Sequence, residues 1–204
     1  MNVKFTVVMV CALVNLTTAD IMINEFHYDN TGDDAGEFIE IVSSDLSISP
    51  SDVTITLYNG NTKKKYGTAQ QLSNFTSHGQ RPDGYYYYSK YISGIQNGPK
   101  DGIAISQNGT LIEFISYEGT FTAINGVANG MTSTDILVAE EENSTSIGSS
   151  LQRQNFGNTW ILTEGSNTMG QINTGCAVPL PGSCLLAVIG LGWVRLRRRQ
   201  ALSL

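Results

Sequence analysis

The densest run of groups able to do chemistry is acidic. Asp29, Asp33, Asp34, Glu37 and Glu40 follow one another closely, interleaved with Asn30, Gly32 and Gly36. Carboxylates in an Asn/Gly-rich loop suit hard Ca²⁺, which takes about 6 to 8 oxygen ligands. Asp29, Asp33, Asp34 and Glu37 are therefore candidate calcium ligands, and no other cofactor is expected. The spacing is not that of an EF-hand, because Asp-x-Asp-x-Asp-Gly is absent. The same residues also suit a turn, with Asp29-Asn30 and Gly32 closing a hairpin and Glu25 or Glu40 accepting backbone N–H groups.

Nothing comparable points to catalysis. His27 stands beside Tyr28 in a strand-like segment, where a packed or hydrogen-bonding role is expected. His78 lies in a Ser-His-Gly-Gln stretch without an obvious partner. There is no Gly-x-Ser-x-Gly elbow, no phosphate-cradling glycine loop and no zinc spacing, so no enzyme is expected. Tyr85, Tyr86, Tyr87 and Tyr88 form the densest aromatic patch. In a strand they alternate between two faces, as a cross-strand ladder or as a surface for binding sugars or proteins.

The elements that would hold these groups read as strands. Val53, Ile55 and Leu57 alternate with Thr54, Thr56 and Tyr58 before the turn dipeptide Asn59-Gly60. Further strands are predicted at residues 21–29, 37–43, 85–92, 102–107, 110–117, 151–154 and 159–163. Asn108-Gly109 suits a type I′ turn and makes 102–117 a hairpin. Many short strands separated by Gly, Asn, Asp and Ser predict an all-β, immunoglobulin-like antiparallel β-sandwich. Residues 61–84 and 119–148 are left over as two long loops, each a binding surface or an insertion. Lys63-Lys64-Lys65 reads as a charged sheet edge that blocks strand-on-strand association, and Glu140-Glu141-Glu142 as solvated loop.

The ends have a different composition. Residues 1–19 carry Lys4, an apolar core over 5–14, and Thr17 and Ala19 at small-residue positions. This is the pattern of a signal peptide cut between Ala19 and Asp20. At the other end Val178-Pro179-Leu180-Pro181 precedes an apolar run and the cations Arg195, Arg197, Arg198 and Arg199. At ~1.5 Å per residue a helix over 182–196 spans about 22 Å, short of a ~30 Å hydrocarbon core, so it anchors weakly unless the arginines snorkel. The positive-inside rule places that cluster in the cytoplasm. Residues 178–204 resemble the PEP-CTERM type of bacterial sorting signal in its VPLP variant. That resemblance implies cleavage by an exosortase-like membrane enzyme and passage to the cell surface. A plain tail anchor is the alternative.

Of 204 residues, 41% are hydrophobic and 15% charged, with a net charge of −6. That size excludes a multidomain enzyme. Between the two terminal segments, residues 20–178 keep seven basic residues against all eighteen acidic ones, a net of −11. Such a surface repels phosphate backbones, so direct nucleic-acid binding is not expected. Of the cysteines, Cys11 and Cys184 fall in the terminal segments. Cys176 is then an incidental thiol, a partner for Cys184 or a lipidation site.

Asn24-Glu25, His27-Tyr28-Asp29 and Gly36-Glu37-Phe38-Ile39-Glu40 stand in one stretch, 21–41. They are followed in order by Tyr58-Asn59-Gly60, Asp101-Gly102-Ile103-Ala104, Ser116-Tyr117-Glu118-Gly119, Ser150-Leu151-Gln152, Trp160 and Asn173-Thr174-Gly175. This pattern resembles the lamin tail domain of bacterial secreted proteins over residues 20–175. The resemblance implies an immunoglobulin-like sandwich. It also implies company with secreted nucleases of the endonuclease/exonuclease/phosphatase type, or with calcium-binding and adhesion modules. The catalytic residues of such nucleases have no counterpart here. The expectation is therefore an exported, non-catalytic binding or structural module at the envelope or in the matrix, with an envelope or matrix ligand of unknown identity. An accessory domain of a secreted nuclease system and a calcium-dependent adhesin are the alternatives.

Overall fold

The structure is a computed structural model and describes residues 21–176. The predicted signal peptide, its cleavage site at Ala19 and Asp20, the Val178-Pro179-Leu180-Pro181 motif, the apolar helix and the arginine cluster lie outside the described residues.

Eleven strands run in chain order: β1 (Ile21–His27), β2 (Phe38–Ser43), β3 (Val53–Asn59), β4 (Lys64–Gln71), β5 (Thr76–Gln80), β6 (Tyr86–Tyr91), β7 (Gly102–Gln107), β8 (Thr110–Ser116), β9 (Thr134–Asp135), β10 (Ser150–Arg153) and β11 (Trp160–Thr163). One sheet has the order β11-β10-β1-β2-β6-β5 and is antiparallel throughout. The other has the order β4-β3-β7-β8-β9, with β9 joining β8 in parallel. The only helical pieces among the described residues are two single 3-10 turns, Pro50–Asp52 and Leu72–Asn74. No described helix is long and apolar enough to cross a membrane.

The two sheets face each other across one core. Ile23, Phe26, Ile41 and Tyr88 come from the first sheet, and Ile55, Ile103, Ile105 and Ile115 from the second. Period two explains most of this placement, since alternate side chains of a strand share a face. β1 shows how the rule is bent. Ile21 and Ile23 point into the core, and so do Phe26 and Tyr28, which have the opposite parity. A β-bulge between Ile23 and Glu25 re-phases the strand, turning Glu25 and His27 to the other face.

The eight predicted strands are present, with ends within two residues of those expected. The 102–117 hairpin turns on Asn108 and Gly109 at φ of 50° and 77°, the paired positive values of a type I′ turn. The two long loops are a correction. Residues 61–84 contain β4 and β5, and 119–148 contain β9. β4 reads Lys-Lys-Tyr-Gly-Thr-Ala-Gln-Gln and is largely exposed, with no apolar face to reveal it. It exists because β3 offers its backbone groups, and it forms the outer edge of its sheet, with Lys64 and Lys65 on that edge. β5 closes the other sheet in the same way against β6.

The outer faces are covered too. Over the second sheet, Phe121, Ala123 and Ala128 pack on Tyr58, Ala104 and Phe114 in a second small core. Over the first sheet the cover is polar. Thr168 donates its N–H and hydroxyl to Glu25, Gly170 donates its N–H to Glu40, and Asn173 donates to the carbonyls of Asn24 and Arg153. Gly170 also lies against the His78 ring, where a Cβ would come within 2.6 Å of Nδ1.

Candidate functional site

At the end of the sandwich where β1, β6 and β8 finish, four connections meet. Asp29 follows β1, Asn97 lies between β6 and β7, Glu118 follows β8, and residues 140–143 precede β10. Together they line an open cleft of about 360 Å³, whose walls carry Glu140, Glu141, Glu142 and Asn143 beside those three. Tyr28, buried beside the cleft, ties two of these connections together. The Tyr28 and Tyr117 rings stack at 4.0 Å, and the Tyr28 hydroxyl donates to Glu118 Oε1 at 3.0 Å while accepting the Glu140 N–H at 2.9 Å.

Glu140 corrects the expectation of a solvated Glu-Glu-Glu loop, for it is 2% exposed. One oxygen meets His27 Nδ1 at 2.7 Å, and the other accepts the backbone N–H groups of Tyr28 at 2.7 Å and Asp29 at 3.0 Å. A carboxylate with this many donors is stable away from water. Glu141 and Glu142 are exposed, as read from the sequence.

The four sequence-predicted calcium ligands do not converge on one point. Asp29 is buried at the cleft, and its Oδ1 has no hydrogen-bond partner. Burial pushes the Asp29 carboxyl up to about 6; Asn97 works against the shift and the neighbouring Asp34 adds to it. Asp34 is exposed and lies against Asp29. Glu37 is committed elsewhere, with its two oxygens accepting the N–H groups of Gly94 and Ile95 at 2.7 Å each. Asp33 is exposed, and its carbonyl takes the Asn30 amide. Glu40, the fifth acid of the run, sits under Gly170 on the opposite face of β2 from Ile39 and Ile41, where burial holds its carboxyl well above the usual range. No three His, Cys, Asp or Glu side chains among the described residues already converge to hold a metal.

The tyrosine patch is packed. Tyr87 and Tyr88 are buried, with the Tyr87 hydroxyl on Asp83 at 2.5 Å. Tyr85 and Tyr86 are half-buried, Tyr85 stacking on Phe156 at 3.7 Å and Tyr86 reaching the core. The large exposed aromatic of this strand is instead Tyr91. His27 is fully buried. His78 Nε2 meets Ser89 Oγ at 2.7 Å, but Ser89 is 3% exposed and the other face of the ring is packed on Gly170. This pair ties β5 to β6 beneath the polar cover and leaves the serine out of reach. Cys176 is a free, half-buried thiol whose Sγ accepts the Asn155 N–H at 3.2 Å.

Sequence reading missed Glu140, Glu118 and Asn97 as members of one site. Their only local signal is polarity in a turn-rich stretch, and what joins them is the convergence of connections far apart in the chain. Comparison with family models, with curated proteins and with solved structures returns no match for this chain.

Proposed function

We propose that the protein is an exported, non-catalytic binding or structural module that works at the cell envelope or in the extracellular matrix. In this reading the sandwich is an immunoglobulin-like domain of the lamin tail type. A signal peptide over 1–19 brings it out of the cytoplasm, and residues 178–204 present it to an exosortase-like enzyme in the membrane. The observation that carries the reading is the tripartite end: Val178-Pro179-Leu180-Pro181, an apolar run, then four arginines.

Two features of the body support it. A net charge of −11 over residues 20–178 suits a solvated, outward-facing module and disfavours contact with nucleic acid. Both histidines are held in structural hydrogen bonds, which leaves neither placed as a base at an open cleft.

Deleting residues 178–204 tests the delivery. The truncated protein is expected in the growth medium and the full chain in the envelope fraction. Equal retention of the two would sink the sorting-signal reading.

A further inference from the structure

Asp29 is 5% exposed, its Oδ1 lies buried without a hydrogen-bond partner, and the side chain lines the acidic cleft. An acceptor oxygen sealed from both water and donors is costly, and a cation satisfies it directly. The surroundings are rich in oxygen and poor in positive charge. Glu118, Glu141 and Glu142 share the cleft with the amides of Asn97 and Asn143. Among the described residues the ion pairs are His27 with Glu140 and Arg153 with Glu113, so none of these cleft acids is neutralised by a cation. Lys100 lies with its stem over Gly119, next to Glu118, and makes no ion pair with the cleft acids.

The geometry points to a binding site for a hard divalent cation of the Ca²⁺ class in this cleft, anchored on Asp29 Oδ1 and completed by Glu118 and Glu141. Such an ion takes 6 to 8 oxygens in flexible geometry, with water supplying the remainder. Asp29 is the fixed ligand, held because Glu140 binds its backbone N–H at 3.0 Å. Glu118 and Glu141 are exposed, and although Glu118 Oε1 takes the Tyr28 hydroxyl, its other oxygen and the Glu141 carboxylate can turn inward around the ion. That movement is required, because no three acids are yet gathered on one point. Glu140 stays outside the coordination sphere, its two oxygens being held by His27 and by the Tyr28 and Asp29 N–H groups.

This site shares only Asp29 with the calcium ligands read from the 29–37 run. The bound ion would fasten together the connections after β1 and β8 and the one before β10, and the inference is independent of how the protein is delivered.

The test is a calcium titration of the full chain in detergent, followed by calorimetry and by thermal melting, with Asp29→Asn and Glu118→Gln beside the wild type. One Ca²⁺ per chain is expected, together with a higher melting temperature at saturation and a tenfold or greater loss of affinity in each variant. Absence of both heat and melting shift in the wild type overturns the site. So does binding that both variants retain, or heat that high salt abolishes, which marks diffuse counter-ion association with the acidic surface. If Asp29→Asn fails to fold, the exposed Glu118→Gln variant decides alone.

Discussion

His27 Nδ1 and Glu140 Oε1 face each other at 2.7 Å, both side chains are almost completely buried, and 113 positions separate them in the chain. The partners of the ring decide its charge. Asn30 gives its amide N–H groups to the carbonyls of Thr31 and Asp33 and accepts the Ala35 N–H on Oδ1. It therefore presents an acceptor to His27 Nε2, and Glu140 presents one to Nδ1. Both ring nitrogens face acceptors, so the fold favours the imidazolium form of His27, paired with Glu140.

Removing one partner of that pair is expected to be severe. Glu140→Gln leaves the imidazolium uncompensated and weakens the acceptors of the Tyr28 and Asp29 N–H groups. A loss of about 3–5 kcal/mol is expected, read from urea unfolding. Glu141→Gln, one residue on and exposed, is expected to change stability by no more than about 0.5 kcal/mol.

Stability is expected to fall as pH rises from about 4 to 8. Burial opposes charge on His27, but Glu140 outweighs it and the folded pKa lies above the ordinary 6.5. Its contribution is complete below that unfolded value and disappears as pH passes the folded one. Burial raises Glu25 and Glu40, and pushes Asp29 up to about 6. Each favours the protonated fold, so each contributes most below its unfolded value near 4 and less as pH climbs through the folded one. Thermal melts at pH 5 and pH 8 check this. Glu40→Gln is expected to flatten the slope, since no described residue forms an ion pair with Glu40.

Arg153 holds three places at once. Its Nε donates to the Ile23 carbonyl at 2.7 Å, Nη1 to Gly157 at 2.8 Å and Nη2 to Glu113, and the guanidinium lies 4.7 Å from the Trp160 ring centre. Lysine has a single ammonium and no planar fork. Arg153→Lys is expected to cost about 2–4 kcal/mol in a denaturant midpoint measurement, because Ile23 O and Glu113 cannot both be reached.

Asn173 fastens the last described segment. Its amide N–H groups donate to the Asn24 and Arg153 carbonyls, and its Oδ1 accepts from the Asn24 amide. Asn173→Ala is expected to cost about 1–3 kcal/mol and to speed amide hydrogen exchange at Thr168 and Gly170 before the core strands.

Local pattern was enough for the strands with an apolar face. Alternation in β3, β7 and β8 and the Asn108-Gly109 turn follow from steric rules that act within a few residues. It was not enough for β4 and β5, whose polar residues become strands only because an apolar neighbour offers a ladder. It offered Glu25 or Glu40 as acceptors of backbone N–H groups, and both are, but it did not tell the other buried carboxylates from the exposed ones. Glu37 and Glu140 resemble Asp33, Glu141 and Glu142 in sequence, yet the first two meet N–H groups brought from far along the chain.

The amino-acid sequence alone thus determines the character of the chain: its net charge, its terminal hydrophobic segments, its all-β pattern and its tight turns. These depend on composition and on short-range backbone geometry. The tertiary structure alone decides that polar side chains of four connections share one cleft, and that Asp29 keeps an oxygen no donor reaches. A buried polar group is stabilised by whatever the fold sets against it, and that partner has no fixed distance along the chain.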